Sequence, residues 1–185
     1  TTDVYAHDID ALDDATGGIR IAVVADLQTS TIGDYERRAI DRVLAGAPDI
    51  IVLTGDLYQG PDDGLDAVVE DFRALLGQLQ APGGTFVVEG DSDHDERHHL
   101  LTEGTGIVPL DNDIIETEVR GITVRIGGSR LRYRSPESRA MQAELVLGDD
   151  TAPTETSTLD DGAVTVLAAH PPDAAATYPP GLAPA

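Results

Sequence analysis

The sequence contains no cysteine, no tryptophan, no lysine and a single methionine, and aromatic residues fill only 4% of its 185 positions. Without cysteine there can be no disulfide, no thiolate nucleophile and no zinc–thiolate centre. No apolar run approaches the roughly 20 residues that a membrane-crossing helix needs. The first residues show no signal-peptide pattern, and the chain starts at Thr1 in polar sequence rather than at a methionine, so it reads as a piece of something longer. Because lysine is absent, all 12 basic residues are arginine, set against 34 acidic ones for a net charge of −22. Such a surface repels phosphate backbones and anionic lipid heads, so nucleic-acid binding and membrane-surface binding are poor first readings. The charge fits a halophilic protein, because concentrated salt screens self-repulsion and the charge keeps the chain soluble. A genomic bias toward arginine is a second contributor. The balance therefore describes the solvent more than the substrate. It names no compartment: a cytoplasmic protein and a domain attached to an anchor outside this sequence both fit.

What is present is a recurring design of apolar runs that end in an acid. Ile19-Arg20-Ile21-Ala22-Val23-Val24-Ala25 stops at Asp26, with Leu27 and Gln28 behind it. Ile50-Ile51-Val52-Leu53-Thr54-Gly55 stops at Asp56, and Thr85-Phe86-Val87-Val88-Glu89-Gly90 stops at Asp91. The run 163–169 delivers His170 in the same way. Val and Ile favour a pleated backbone because their branched Cβ is stiff. Near-continuous apolar runs suit strands buried on both faces. Open α/β sheets place ligands at the carboxyl ends of their strands. The pattern predicts a metal site at one sheet edge.

The length fits a single domain over 1–185, with 1–18 as a lead-in, Val4 and Tyr5 pairing at a sheet edge, and 174–185 as a loosely ordered tail. A helix is predicted from Asp34, as N-cap, to about Ala45, with Ala39, Ile40, Val43 and Leu44 inward. The clearest helical period in the chain is Leu65, Val68, Val69, Phe72, Leu75, Leu76 and Leu79, which predicts one helix opening at Pro61. A short helix carries Leu100 and Leu101, and a short strand follows over 107–110. A hairpin turns at Arg120-Gly121, a helix covers 136–147, and a polar loop over 148–162 precedes the last strand. Two βαβ crossovers imply a parallel, right-handed sheet, and the hairpin starts a second sheet packed against it.

Asp26-Leu27-Gln28, Gly55-Asp56, Gly90-Asp91-Ser92-Asp93-His94 and His170, in that order, resemble the calcineurin-like metallophosphoesterase superfamily. Its pattern is Asp-x-His, Gly-Asp, Gly-Asn-His followed by Asp or Glu, a lone His, then Gly-His-x-His. The resemblance covers about 20–173, and the stretches 22–29, 32–38 and 53–56 look most like one membrane-associated branch. It implies a layered two-sheet α/β sandwich flanked by helices, here lacking its C-terminal part. It also implies hydrolysis of a phosphomonoester or phosphodiester by a water activated between two ions of Mn, Fe or Zn. By position Asp56 would bridge both ions, Asp26 and Gln28 would face the first, and Asp91 and His170 would face the second.

Four departures stand against the pattern. Gln28 replaces a histidine, Asp91 replaces an asparagine, and Ser92 replaces the histidine that would act as acid, leaving His94 as the substitute. No Gly-His-x-His follows His170. One ion or none would then be held here, unless a C-terminal segment or partner chain supplies the missing ligands. A scaffold or binding module that has lost metal ligands is the alternative.

Each residue also has a plainer reading. A lone Gly-Asp after a strand is commonly turn chemistry. His170 alone reads equally as a helix-capping or loop histidine, His7 as a surface residue, and His94, His98 and His99 as solvated members of a charged loop. Tyr58 and Gln59 each either touch substrate or end their strand, with substrate contact the favoured reading for Tyr58. Arg130, Arg132 and Arg134 read as an exposed face held by acidic neighbours rather than as phosphate ligands.

Overall fold

The run Ile50–Leu53 forms strand β2, and every one of its side chains is buried. Successive side chains of a strand point to opposite faces. Ile51 and Leu53 accordingly join one apolar cluster, and Ile50 and Val52 join another. This is why the sequence shows continuous rather than alternating hydrophobicity: both faces of the strand are covered.

The computed structural model describes residues 18–93, 97–130, 134–147 and 163–170. Strand β1 (Ile21–Val24) leads through helix α1 (Asp34–Ala45) to β2. A 3-10 helix (Asp62–Ala67) and helix α2 (Val69–Leu76) lead to β3 (Thr85–Val87), and α3 (Arg97–Thr102) leads to β4 (Val108–Pro109). These four strands are parallel in the order β1-β2-β3-β4. Crossovers of one hand that always step the same way place every connecting helix on the same face. Ile40 of α1, Phe72, Leu75 and Leu76 of α2, and Leu101 of α3 all enter the cluster on that face.

The opposite face packs on a second sheet. It consists of the antiparallel pair β5 (Ile114–Val119) and β6 (Ile122–Gly128), with β7 (Val164–Ala168) parallel to β6. Phe86 and Val88 from the first sheet meet Val119, Val124, Ile126 and Val164 from the second in one buried cluster. Helix α4 (Pro136–Leu147) covers β6, where a Cβ on Gly127 would lie 2.6 Å from the Leu145 side chain. The hairpin turn needs positive φ at both central residues, and Arg120 (52°) and Gly121 (80°) supply it. The mixed α/β architecture with two sheets is thus present. Among the described residues no helix is long and apolar enough to cross a membrane.

Several expectations need correction. The run at 19–25 is not buried on both faces: β1 is the edge strand and Val23 remains 64% exposed. The helix expected over 61–79 breaks at Val68 (φ −120°, ψ −7°) into the 3-10 helix and α2, and Leu79 is buried beyond the helix end. Helix α1 is capped one residue earlier than expected, at Gly33, whose N–H donates to the Glu36 carboxylate at 2.8 Å. The lead-in, the tail and the loop at 148–162 lie outside the described residues.

One ion pair ties the two sheets together at the end opposite the acid-bearing loops. Asp49 precedes β2, accepts the Arg20 N–H at 2.7 Å and pairs with the Arg120 guanidinium at the hairpin turn, which also donates to the Gly18 carbonyl at 2.6 Å. Replacing the mostly buried Asp49 removes the acceptor of the Arg20 N–H and the carboxylate partner of Arg120, which keeps its bond to Gly18. Asp49→Ala is expected to lower the unfolding free energy by roughly 1–3 kcal/mol in denaturant titrations. A change below about 0.5 kcal/mol, the scale of an ordinary surface substitution, would contradict that role.

Candidate metal centre

The loops leaving β1 and β2 run side by side past the strand ends. The Thr54 N–H donates to the Val24 carbonyl at 2.9 Å, the Gln28 N–H to the Asp56 carbonyl at 2.9 Å, and the Gln59 N–H to the Thr29 carbonyl at 3.1 Å. Within this paired segment Asp26 (φ 54°), Gln28 (φ 40°) and Asp56 (φ 55°) all adopt the left-handed conformation. Non-glycine residues rarely hold it, and residues that do cluster at functional sites because surrounding contacts must enforce it.

The enforcing contacts come from the loop after β3. Gly55 and Gly90 touch backbone to backbone: a Cβ on Gly55 would lie 2.2 Å from the Gly90 nitrogen, and one on Gly90 would lie 2.2 Å from Asp56 Oδ1. Both Gly-Asp pairs therefore need their glycine for close approach, and Gly55 needs it also for a φ of 84°. Asp93, wholly buried, joins the two loops. Its Oδ2 accepts the N–H groups of Asp56 and Gly90, each at 2.9 Å, and its Oδ1 accepts that of Leu57 at 3.3 Å.

Held in this way, Asp56 is almost fully buried, while Asp26, Gln28 and Asp91 are exposed. Burial alone would raise the Asp56 carboxyl. The Ser92 N–H (2.9 Å), the Gln28 amide (2.7 Å) and the nearby His170 outweigh burial and hold it below the usual carboxylate range. His170, carried in by β7 of the other sheet, places Nδ1 2.6 Å from the Thr54 carbonyl oxygen. The Thr54 carbonyl accepts from Nδ1 and so orients the ring with Nε2 toward the acids. Nε2 lies 3.8 Å from Asp56 Oδ1 and 3.9 Å from Asp91 Oδ1.

The structure brings Asp26, Asp56 and His170 together: one ligand atom from each lies within 4.8 Å of the others. Opposite ligands around an ion with bonds of about 2.1 Å stand about 4.2 Å apart, so side-chain shifts of a few tenths of an ångström allow coordination. Two carboxylates and an imidazole suit Mn, Fe or Zn. Asp91 borders the group through His170 but is not part of this triplet. Gln28 reaches Asp56 as a hydrogen-bond donor through Nε2. His94 lies outside the described residues. Tyr58 is no substrate contact: it is 1% exposed, its hydroxyl donates to the Pro61 carbonyl, and its ring meets Phe72 edge-on. The sequence reading gave Asp93 no role of its own; its signal was the position three residues after Gly90.

Asp93→Asn substitutes an NH2 for one of the acceptors serving three N–H groups. It is expected to cost roughly 1–3 kcal/mol in denaturant titrations. It should also weaken Mn2+ binding at the Asp56 loop by about 10–100-fold in calorimetric titrations, as loss of a group that orients ligands does. Parent-like values in both measurements would contradict the assignment.

No protein-family model matches the chain, and no curated protein matches it. Among solved structures it is similar to the Protein of Unknown Function AQ665 from Aquifex aeolicus, over 69% of this chain and 72% of that one, at 13% identity and a TM-score of 0.34. A likeness at that level carries neither fold nor function across.

Proposed function

We propose that this chain is a metal-dependent phosphoesterase domain of calcineurin-like type, with its site at the carboxyl ends of β1, β2, β3 and β7. The observation that carries the reading is the convergence of Asp26, Asp56 and His170 donor atoms within 4.8 Å from three separate chain segments. A bound divalent cation supplies a Lewis acid for a phosphoryl oxygen and lowers the pKa of a coordinated water. The chain's own contributions are distinct. Asp56 stays ionised and is aimed by Ser92 and Gln28. His170 presents Nε2 because Thr54 holds Nδ1. The exposed Asp26 and Asp91 leave the mouth open to a phosphoester. In this reading, were two ions bound, Asp56 would be shared between them and His170, with Asp91 beside it, would face the second; His94 would serve as proton donor to the leaving oxygen, and a further segment or partner chain would supply additional imidazoles.

A second reading, a non-catalytic binding module on the same fold, is favoured by one observation. The Gln28 amide donates to Asp56, satisfying an oxygen that a bridging carboxylate would give to an ion. The two readings separate in one assay. With Mn2+ supplied in molar KCl, the phosphoesterase reading expects p-nitrophenol release from an aryl phosphodiester or monoester, falling at least about tenfold in Asp56→Asn and in His170→Ala. A smaller loss in Asp56→Asn would count against the site. No turnover with Mn2+, Fe2+ or Zn2+ from a folded chain favours the binding module.

A further inference from the structure

Beyond the acid cluster, the chain brings together a second set of donor atoms that shares none of its residues. The sequence placed His98 and His99 in solvent; the structure takes His98 out of it. Helix α3 buries His98 completely and leaves His99 partly exposed, and Asp111, just after β4, faces both rings. His99 Nε2 lies 2.6 Å from Asp111 Oδ2, and His98 Nε2 lies 3.5 Å from Asp111 Oδ1. One ligand atom from each of the three residues falls within 4.8 Å of the others.

The unusual feature is His98. Among the described residues neither of its ring nitrogens has a hydrogen-bond partner, and the facing Asp111 Oδ1 is likewise buried without one. An unpaired buried donor or acceptor costs roughly 1–3 kcal/mol, so a native structure needs a reason for two of them on facing atoms. A cation between them is such a reason. The edge of a tetrahedral zinc site with bonds near 2.1 Å is about 3.4 Å, close to the 3.5 Å between His98 Nε2 and Asp111 Oδ1. The Arg130 Nε, 4.0 Å from Asp111 Oδ1, is the competing cation, and it is shared with Glu89 at 3.5 Å.

We propose that His98, His99 and Asp111 form a second metal site, selective for a zinc-class divalent ion, that ties α3 to the β4–β5 connection. Two imidazoles and one carboxylate favour Zn2+, Co2+ or Ni2+ over Mg2+ or Ca2+, which prefer all-oxygen shells.

The test uses the full chain carrying Asp56→Asn and His170→Ala, which removes the acid cluster as a competing site. Failure of the phosphoesterase reading therefore leaves this experiment unaffected. Dialysis against Zn2+ in molar KCl, with the metal content of the washed protein measured, should give one equivalent per chain. Adding His99→Gln or Asp111→Asn should weaken uptake at least about tenfold. Far-UV circular dichroism checks that each variant is folded. Because Asp111→Asn also removes a partner of His99, a second readout is the Nε2 nitrogen resonances of His98 and His99 in the unsubstituted chain, which should both shift on adding Zn2+. Uptake that is absent, or unchanged by both substitutions, overturns the proposal, as does Zn2+ leaving both imidazole resonances unmoved.

Discussion

One buried carboxylate holds this structure's candidate centre in shape. Asp93 accepts N–H groups from Asp56, Leu57 and Gly90, which belong to two different strand-end loops. A carboxylate stripped of water is costly unless its lone pairs are filled, and backbone donors fill them here. In return the two loops can approach until Gly55 and Gly90 touch, closer than any side chain allows. The left-handed backbone at Asp56 follows from that closeness, and so does the direction of its carboxylate toward Asp26 and His170. The strain in the loop is sustained by hydrogen bonds and packing outside the donor set itself.

The fold explains why donors from distant parts of the chain meet at one edge. Sequential parallel strands with same-handed crossovers put all three helices on one face of the first sheet. The other face is left for the second sheet, and the cluster of Ile50, Val52, Phe86 and Val88 with Val124, Ile126 and Val164 joins them. Strand β7 runs parallel to β6 and ends beside the carboxyl ends of the first sheet, so His170 reaches Asp56 across the junction. At the far end Asp49 and Arg120 fasten the same two sheets. The centre thus lies where both sheets end, rather than at a reversal of strand order, because the order β1-β2-β3-β4 contains no reversal.

Much of this was written in local sequence. The runs ending at Asp56 and Asp91 are strands because β-branched residues buried on both faces leave a continuous apolar trace, and the glycine before each acid marks a close approach. What stayed hidden depended on neighbours. The composition of β1 does not reveal that nothing among the described residues flanks its outer side, leaving Val23 exposed. The apolar period at 65–79 continues through a 3-10 turn, since a change of winding at Val68 still leaves Leu65 and Phe72 facing the same cluster. Tyr58 follows an acid in a loop, yet the ring packs on Phe72 and the hydroxyl finds Pro61. His98 stands in a charged stretch, but a single turn of helix points it inward, toward an acid 13 residues further on. Such partners are set by tertiary geometry, which charge and period in one segment do not report.

The candidate centre exists only if a cation sits in the acid cluster. Anomalous scattering from crystals soaked in Mn2+, recorded near the manganese absorption edge, tests that most directly. A peak is expected within about 2.3 Å of an Asp56 carboxylate oxygen and within similar reach of Asp26 or His170. A fully soaked crystal with no peak at Asp56, or with manganese bound only elsewhere, would contradict it.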